Sequence, residues 1–410
     1  MQTNPFSSGS LPIPGETSVR QAKTRPKVVF VVCEAGGGHH SAARAITQAL
    51  EHRFPDFFET VTVNVENMIG PLGRLLGTLY VESYNLALRH GHYWLEPWIF
   101  NSLSLSRQSL LPIGLPHFRK ALAALRPDMV VMLIHGAHDV MEAALKADGY
   151  IPNLTVVTDA VTIRESWVHP YCDQIIVSTR AAAEACVTHG IRPERVEILG
   201  HPMHINFALP RPSRQELARQ YGIASDRFTL LIMMGGAGGK NILHFSQQLA
   251  QSQLPVQIIA VCGKDQRLLK KMQTFAAHSS LPVHPFGFTP EIPALMTLAD
   301  VVVTKPGPGT IMEALACGLP IILDDSNYTM YQEQGNVAYV RDHQLGIVLE
   351  QSEHFIPAVK TLLENQELYH TMKNNTRQHN HSHASLRIAD QIHTRLADPA
   401  RMWHREHSHD

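Results

Sequence analysis

The sequence predicts an α/β protein made of two doubly wound, Rossmann-like domains facing each other across a cleft. Three observations carry this. Short β-branched runs alternate with amphipathic stretches along most of the chain, the pattern of parallel strands joined by crossover helices. The same opening occurs twice, an apolar strand running into a glycine loop and then a helix. It is seen at Lys27–Cys33 before Gly36-Gly37-Gly38-His39, and at Phe228–Met234 before Gly235-Gly236-Ala237-Gly238-Gly239. Between the halves, Pro202–Ser213 carries Pro202, Pro210 and Pro212 and reads as a linker. A chain of 410 residues also suits two cores better than one.

In the first half, a helix over Ser41–Leu50 places Ala42, Ala45, Ile46 and Ala49 on one face. Further strands are expected at Val61–Val63, Met129–Ile134, Leu154–Val157, Gln174–Val177 and Val196–Leu199. The second half continues with a helix from about Asn241 and strands near Gln257–Cys262, Val283–Phe286, Val301–Thr304 and Pro320–Leu323. Both glycine loops then sit at the carboxyl ends of first strands, where ligands bind in such sheets. The helical tail Glu367–Arg395 is expected to pack back across the halves.

Composition removes several classes. Lys+Arg 35 against Asp+Glu 36 gives a net charge of −1, which argues against a nucleic-acid binder relying on a basic surface. Hydrophobic residues at 44% exclude global disorder. Cys33, Cys172, Cys186, Cys262 and Cys317 lie far apart without a C-x-x-C pair, so neither a zinc ribbon nor a disulfide framework is expected and a reduced, cytoplasmic compartment is. Residues 1–26, rich in Pro, Ser, Gly and Thr, read as a flexible arm rather than a signal peptide. No run of 18 apolar residues occurs, so no membrane span is expected. His379, His381, His383, His404, His407 and His409 read as a solvated polar tail, and no metal site is predicted.

Several residues have chemistry to offer. Gly37 and Gly38 let a ligand approach the backbone where a helix start aims its amides outward. His39, at the loop exit, has an imidazole suited to take a proton from an attacking hydroxyl; the alternative is a helix cap. The stretch Thr304-Lys305-Pro306-Gly307-Pro308-Gly309-Thr310-Ile311-Met312-Glu313 is more specific. It builds an amide cradle and a hydroxyl for a diphosphate, with Glu313 one turn on to grip a ribose diol or merely to complement the helix dipole. Gln332, Glu333 and Asn336 supply the paired donors and acceptors that sugar hydroxyls need, or form a solvated helix start. Phe286-Gly287-Phe288 ends a strand and offers backbone to a pyrimidine edge. No D-x-D occurs, so a departing diphosphate would rely on amides and helix dipoles.

Together, KPGPGTIMEALACGLPIIL, QEQGN, the GGGH loop, the tract Tyr84–Trp94, VVTDAVTIRESWVHP (Val156–Pro170), Gly200-His201-Pro202, MMGGAGG and Val261–Lys264 are recognisable. Taken in chain order, over about residues 27–350, they resemble monogalactosyldiacylglycerol synthases and processive diacylglycerol glucosyltransferases. More distantly the chain is similar to the N-acetylglucosaminyltransferase that forms the peptidoglycan lipid precursor. The resemblance implies a GT-B fold and an inverting, metal-independent transfer of galactose or glucose from a UDP-sugar to diacylglycerol, with no cofactor. It implies His39 in acceptor activation with Asp159 as a helper, unless Asp159 is simply a buried structural acid. Phe288, Gly307, Gly309, Thr310 and Glu313, with Gly235, Gly236 and Lys305, would hold UDP. Gln332, Glu333 and Asn336 would hold the sugar, and Gly37, Gly38, Tyr84, Trp94 and Trp167 would lie on the acceptor side. His40 after the loop His, and Gly136 in place of a proline after His135, depart from the family pattern. The expected domains are 27–205 for the acceptor, 206–370 for the UDP-sugar, and a C-terminal helix and His-rich tail over 371–410. The segment Gly70–Lys120 has Arg74, Arg89, Arg107, Arg119 and Lys120 against Glu82 and Glu96, five minus two or +3, among apolar residues. It would meet a membrane surface, or form a helical acceptor lid. Transfer to a non-glycerolipid or soluble acceptor, a UDP-sugar epimerase and an inactive UDP-sugar sensor are the alternatives.

Overall fold

The computed structural model describes residues 25–34, 37–90, 96–236, 238–239, 241–326 and 329–397, with the side chains of 80–81 and 84–110 left aside. It contains two six-stranded, wholly parallel sheets. The first is formed by β1 (Lys27–Val32), β2 (Glu59–Asn64), β3 (Met129–Met132), β4 (Asn153–Val156), β5 (Gln174–Val177) and β6 (Val196–Ile198), in the order β2-β1-β3-β4-β5-β6. The second is formed by β7 (Phe228–Met233), β8 (Val256–Val261), β9 (Val283–Phe286), β10 (Val301–Thr304), β11 (Ile321–Asp324) and β12 (Gly346–Leu349), in the order β12-β11-β10-β7-β8-β9. Continuous Val, Ile and Leu runs form these strands because helices cover both faces. Val28 to Val32, for example, are completely buried.

Strand order locates the ligand crevices. Each sheet reverses direction once, between β1 and β3 in the first and between β7 and β10 in the second. Loops at such switch points diverge to opposite faces and leave a crevice at the carboxyl ends. Those loops hold Gly37–His39 and Leu133–His138 in one half, and Gly235–Gly239 and Lys305–Gly307 in the other. The helix Gly38–Arg53 buries Ala42, Ala45, Ile46 and Ala49 on the sheet, and its N-cap, Gly37, has φ 76°, a conformation open to glycine.

The chain crosses between halves twice. The first crossing, within Gly200–Ser213, is packed rather than slack: Met203 and Phe207 are buried in the second half's core. The helix Gln366–Gln378 stays on the second half, with Tyr369 and Met372 in its core. The helix Ala384–Ala397 instead packs along Gly38–Arg53 and puts Ile388, Ala389 and Ile392 into the first half's core. Ser385 clasps both the N–H and the carbonyl of Met203, at 3.0 and 2.7 Å, which fastens the two crossings together. Consequently His379 and His381 are not a solvated tail. His379 Nδ1 lies 2.6 Å from the Tyr339 hydroxyl, and His381 packs so tightly on Gly200 that a Cβ there would come within 2.4 Å of it. His404, His407 and His409 lie outside the described residues. The five cysteines are free thiols.

Candidate active site

In the first half, the site is built where β1, β3 and β4 end. His39 stands in the first turn of Gly38–Arg53 and bonds to the backbone of Leu133, just past β3. Its Nδ1 lies 3.2 Å from the hydroxyl of Thr158, just past β4. Burial pushes the imidazole down to about 4, so the ring is neutral at physiological pH. Next to Thr158, Asp159 accepts a 2.7 Å hydrogen bond from the Trp167 indole N–H. Burial outweighs that bond and a nearby Arg164, and raises the Asp159 carboxyl to about 6. Trp167 is fully buried and edges against both His39 and His135, at 6.2 and 5.7 Å between centroids. This corrects the expectation for Trp167: no acceptor can touch a ring without exposed surface, and its part is to fix Asp159. Gly37 and Gly38 face open space. Tyr84 and Trp94 fall outside the described side chains.

In the second half, two glycine loops interlock. A Cβ on Gly238 would meet the Cys262 carbonyl at 2.6 Å, and one on Gly263 the Gly236 carbonyl at 2.5 Å. Both residues have positive φ, 82° and 60°, so glycine is required twice over. Gly236 and Gly309 are different, because nothing lies within 4 Å of their missing Cβ atoms. Their bare backbone is turned to free space. Lys305, after β10, reaches across from beside Gly235 to pair with Glu333 at 2.7 Å. Gly307 caps the helix Pro308–Ala316, whose first turn holds Gly309 and Thr310. Proline at the first position removes an N–H that would otherwise go unbonded and leaves the following amides aimed outward. Phe288 is 58% exposed at the rim, with the Lys264 ammonium 5.4 Å from its ring centre. Asn336 was expected among sugar ligands. It is instead buried under the loop, donating to the Pro306 carbonyl at 2.8 Å, and so shapes the cradle.

Glu313 stands one turn into that helix, and burial lifts its carboxyl to about 7 from 4.5. A carboxyl raised on folding costs stability as pH climbs through that window, up to about 3 kcal/mol once it is ionised. Glu313→Gln is therefore expected to melt higher than the parent at pH 8 and to lose that gain at pH 4.5. Thermal scans at the two pH values check this.

The halves meet over this site. The helix Tyr331–Asp342 lies against Asp159–Arg164 so closely that a Cβ on Gly335 would fall 2.3 Å from Thr162 Oγ1 and 3.1 Å from its backbone nitrogen. Arg164 adds a cation–π contact to Tyr331 at 4.8 Å. Gln332 and Glu333 are thus presented toward the segment that carries Asp159. Sequence reasoning missed Thr158, Thr162 and Gly335, whose roles exist only across the fold.

The comparisons agree with this division. Residues 39–203 match the family model for monogalactosyldiacylglycerol (MGDG) synthase, and residues 229–392 match the glycosyltransferase family 28 C-terminal domain. Each half of the chain thus matches one of these two models. A probable chloroplastic MGDG synthase from Nicotiana tabacum is 27% identical over 336 residues, 78% of this chain and 61% of that protein. The chain thus spans about three fifths of that plant relative. A processive diacylglycerol beta-glucosyltransferase from Bacillus pumilus is 26% identical over 90% of this chain and 95% of its own. Among solved structures, Acinetobacter baumannii MurG superposes with a TM-score of 0.60 at 14% identity, over 90% of this chain and 99% of MurG. The fold is GT-B. The match to the MGDG synthase model covers His39, Asp159 and Trp167; the match to the family 28 model covers both glycine loops, Lys305, Glu313 and Glu333.

Proposed function

We propose that this chain transfers a hexose, galactose or glucose, from a UDP-sugar to the primary hydroxyl of diacylglycerol, with inversion to a β-glycoside. The observation that carries this is the meeting of two half-sites at Gly335 and Thr162: one holds a neutral, partly buried histidine, the other an amide cradle with a lysine and two acids. In this proposal Gly235, Gly236, Gly309 and Thr310 line the diphosphate, Phe288 lies beside the uracil, and Glu313 holds the ribose diol. Gln332 and Glu333 read the sugar. The acceptor oxygen attacks the anomeric carbon, its proton passes to His39, and the bond from that carbon to the diphosphate oxygen breaks with its electron pair on UDP. Helix amides and Lys305 offset the charge that develops there, so no metal is essential.

The acceptor comes from a bilayer. No helix among the described residues is long and apolar enough to cross a membrane. The helices Gly70–His90 and Glu96–Leu125 do expose Leu72, Leu75, Leu79 and Ile113, between 46 and 57% each. Apolar side chains on helices with basic residues suit peripheral attachment. The test is product formation by purified protein from UDP-galactose and UDP-glucose, with diacylglycerol in mixed micelles and in anionic liposomes, in EDTA. A lipid-soluble β-hexoside is expected from at least one donor. UDP binding without glycolipid from either donor would overturn diacylglycerol as the acceptor, and activity abolished by EDTA would overturn the metal-free mechanism.

A further inference from the structure

The Lys305–Glu333 ion pair joins a buried acid to an accessible lysine. Glu333 is 7% exposed, in a helix that also buries Asn336, Val337 and Val340, while the lysine side chain remains 44% exposed. The pair lies at the domain boundary. Gly307, at the start of the diphosphate cradle, is so near that a Cβ there would sit 3.1 Å from Lys305 Nζ and 3.7 Å from Glu333 Oε1. The helix bearing Glu333 touches Val161 and Thr162, two and three residues from Asp159. Three other side chains face Asp159 electrostatically: Trp167 and Arg164 favour its charged form, and Glu333 opposes it.

We propose that Lys305 and Glu333 form a donor-responsive charge switch, in which an arriving nucleoside diphosphate draws the ammonium away and the uncovered Glu333 carboxylate makes Asp159 the stronger proton acceptor. This rests on the UDP-sugar assignment above. With the cleft empty, Lys305 neutralises the acid that faces the MGDG synthase half. A diphosphate beside Gly307 competes for the same ammonium and adds negative charge of its own. The acceptor half then becomes more basic only when a donor is in place. A base works best when its proton affinity lies near the working pH, so the switch readies Asp159 to assist His39, which takes the acceptor proton, when a donor is in place. It also predicts that donor binding favours a hydroxyl-bearing acceptor over an anionic one.

Trp167 offers a readout independent of turnover, because its indole N–H is bonded to the titrating carboxylate. In the full-length ¹⁵N-labelled protein, that resonance is assigned by its loss in Trp167→Phe and followed against pH, with and without UDP. A midpoint near 6 is expected without UDP. UDP should raise it, by on the order of one pH unit, in the direction in which Glu333 already acts on Asp159. Lys305→Met should raise the midpoint with no UDP present. Glu333→Gln should lower it and leave less than half of the UDP response. Calorimetry run alongside separates the two claims. If UDP binds and the midpoint stays put, or if Lys305→Met leaves it unmoved, the switch is overturned. If UDP does not bind, the donor assignment fails instead, and the Lys305→Met titration still decides the electrostatic link.

Discussion

Replacing His39 by alanine is expected to lower turnover by about 10²- to 10⁴-fold while UDP binds as before. General-base catalysis by a positioned side chain contributes on that scale. The separation follows from the architecture: His39 belongs to the first sheet's switch point, held by Thr158 and Leu133, and the amide cradle belongs to the second sheet. The pH behaviour of the variant adds a second check. A histidine held near 4 in the fold but near 6.5 unfolded subtracts stability as pH falls from 6.5 toward 4. His201, buried beside Ser178 and also near 4, does the same. His39→Ala should therefore lose less stability than the parent between pH 6.5 and 4.5. Unchanged turnover, with UDP affinity intact, would remove His39 from the proton-transfer step.

How far the sequence led depends on how local each signal was. β1 and β7 were legible because a strand buried on both faces is written as an unbroken apolar run. Their glycine loops were legible because a sharp turn into a helix needs glycine, as Gly37 at φ 76° shows. β12 was missed: it opens on Gly346, a weak strand former, at the sheet edge, where only Leu349 of its four residues is fully buried. Lys305, Gly307 and Glu313 were found as one contiguous motif, but the ion pair of Lys305 with Glu333, 28 positions on, was not. The second crossing was legible as a tail packing back across the halves, but only the fold shows that Gln366–Gln378 stays on the second half and Ala384–Ala397 enters the first half's core. Trp167 shows the same limit. It lies in a tract resembling acceptor-side residues, and only the fold reveals that the ring is sealed behind Asp159.

The domain contact at Gly335 gives the other large expected effect, and it isolates geometry from stability. Alanine is a better helix former than glycine by about 1 kcal/mol, so Gly335→Ala within the helix Tyr331–Asp342 should not weaken the second half itself. The added methyl would instead press on Val161 and Thr162, at 3.0 Å from the valine methyl and 3.1 Å from a backbone nitrogen that no rotamer change can move. The halves must then part by several tenths of an ångström or more, which displaces Gln332 and Glu333 from Asp159 and His39. Misplacements of about 1 Å between reacting groups cost on the order of 10²-fold. The expected outcome is a loss of that order in kcat/KM, with UDP affinity and melting temperature near the parent values. Thr162→Ala in the same chain removes the hydroxyl at 2.3 Å but leaves the backbone contact, so it should restore part of the activity and show non-additivity in a double-mutant cycle. Parental turnover in Gly335→Ala would mean that the closed approach of the two halves is not the arrangement in which transfer occurs. A loss of UDP binding instead would place the damage in the donor cradle, where Asn336 on the same helix supports Pro306.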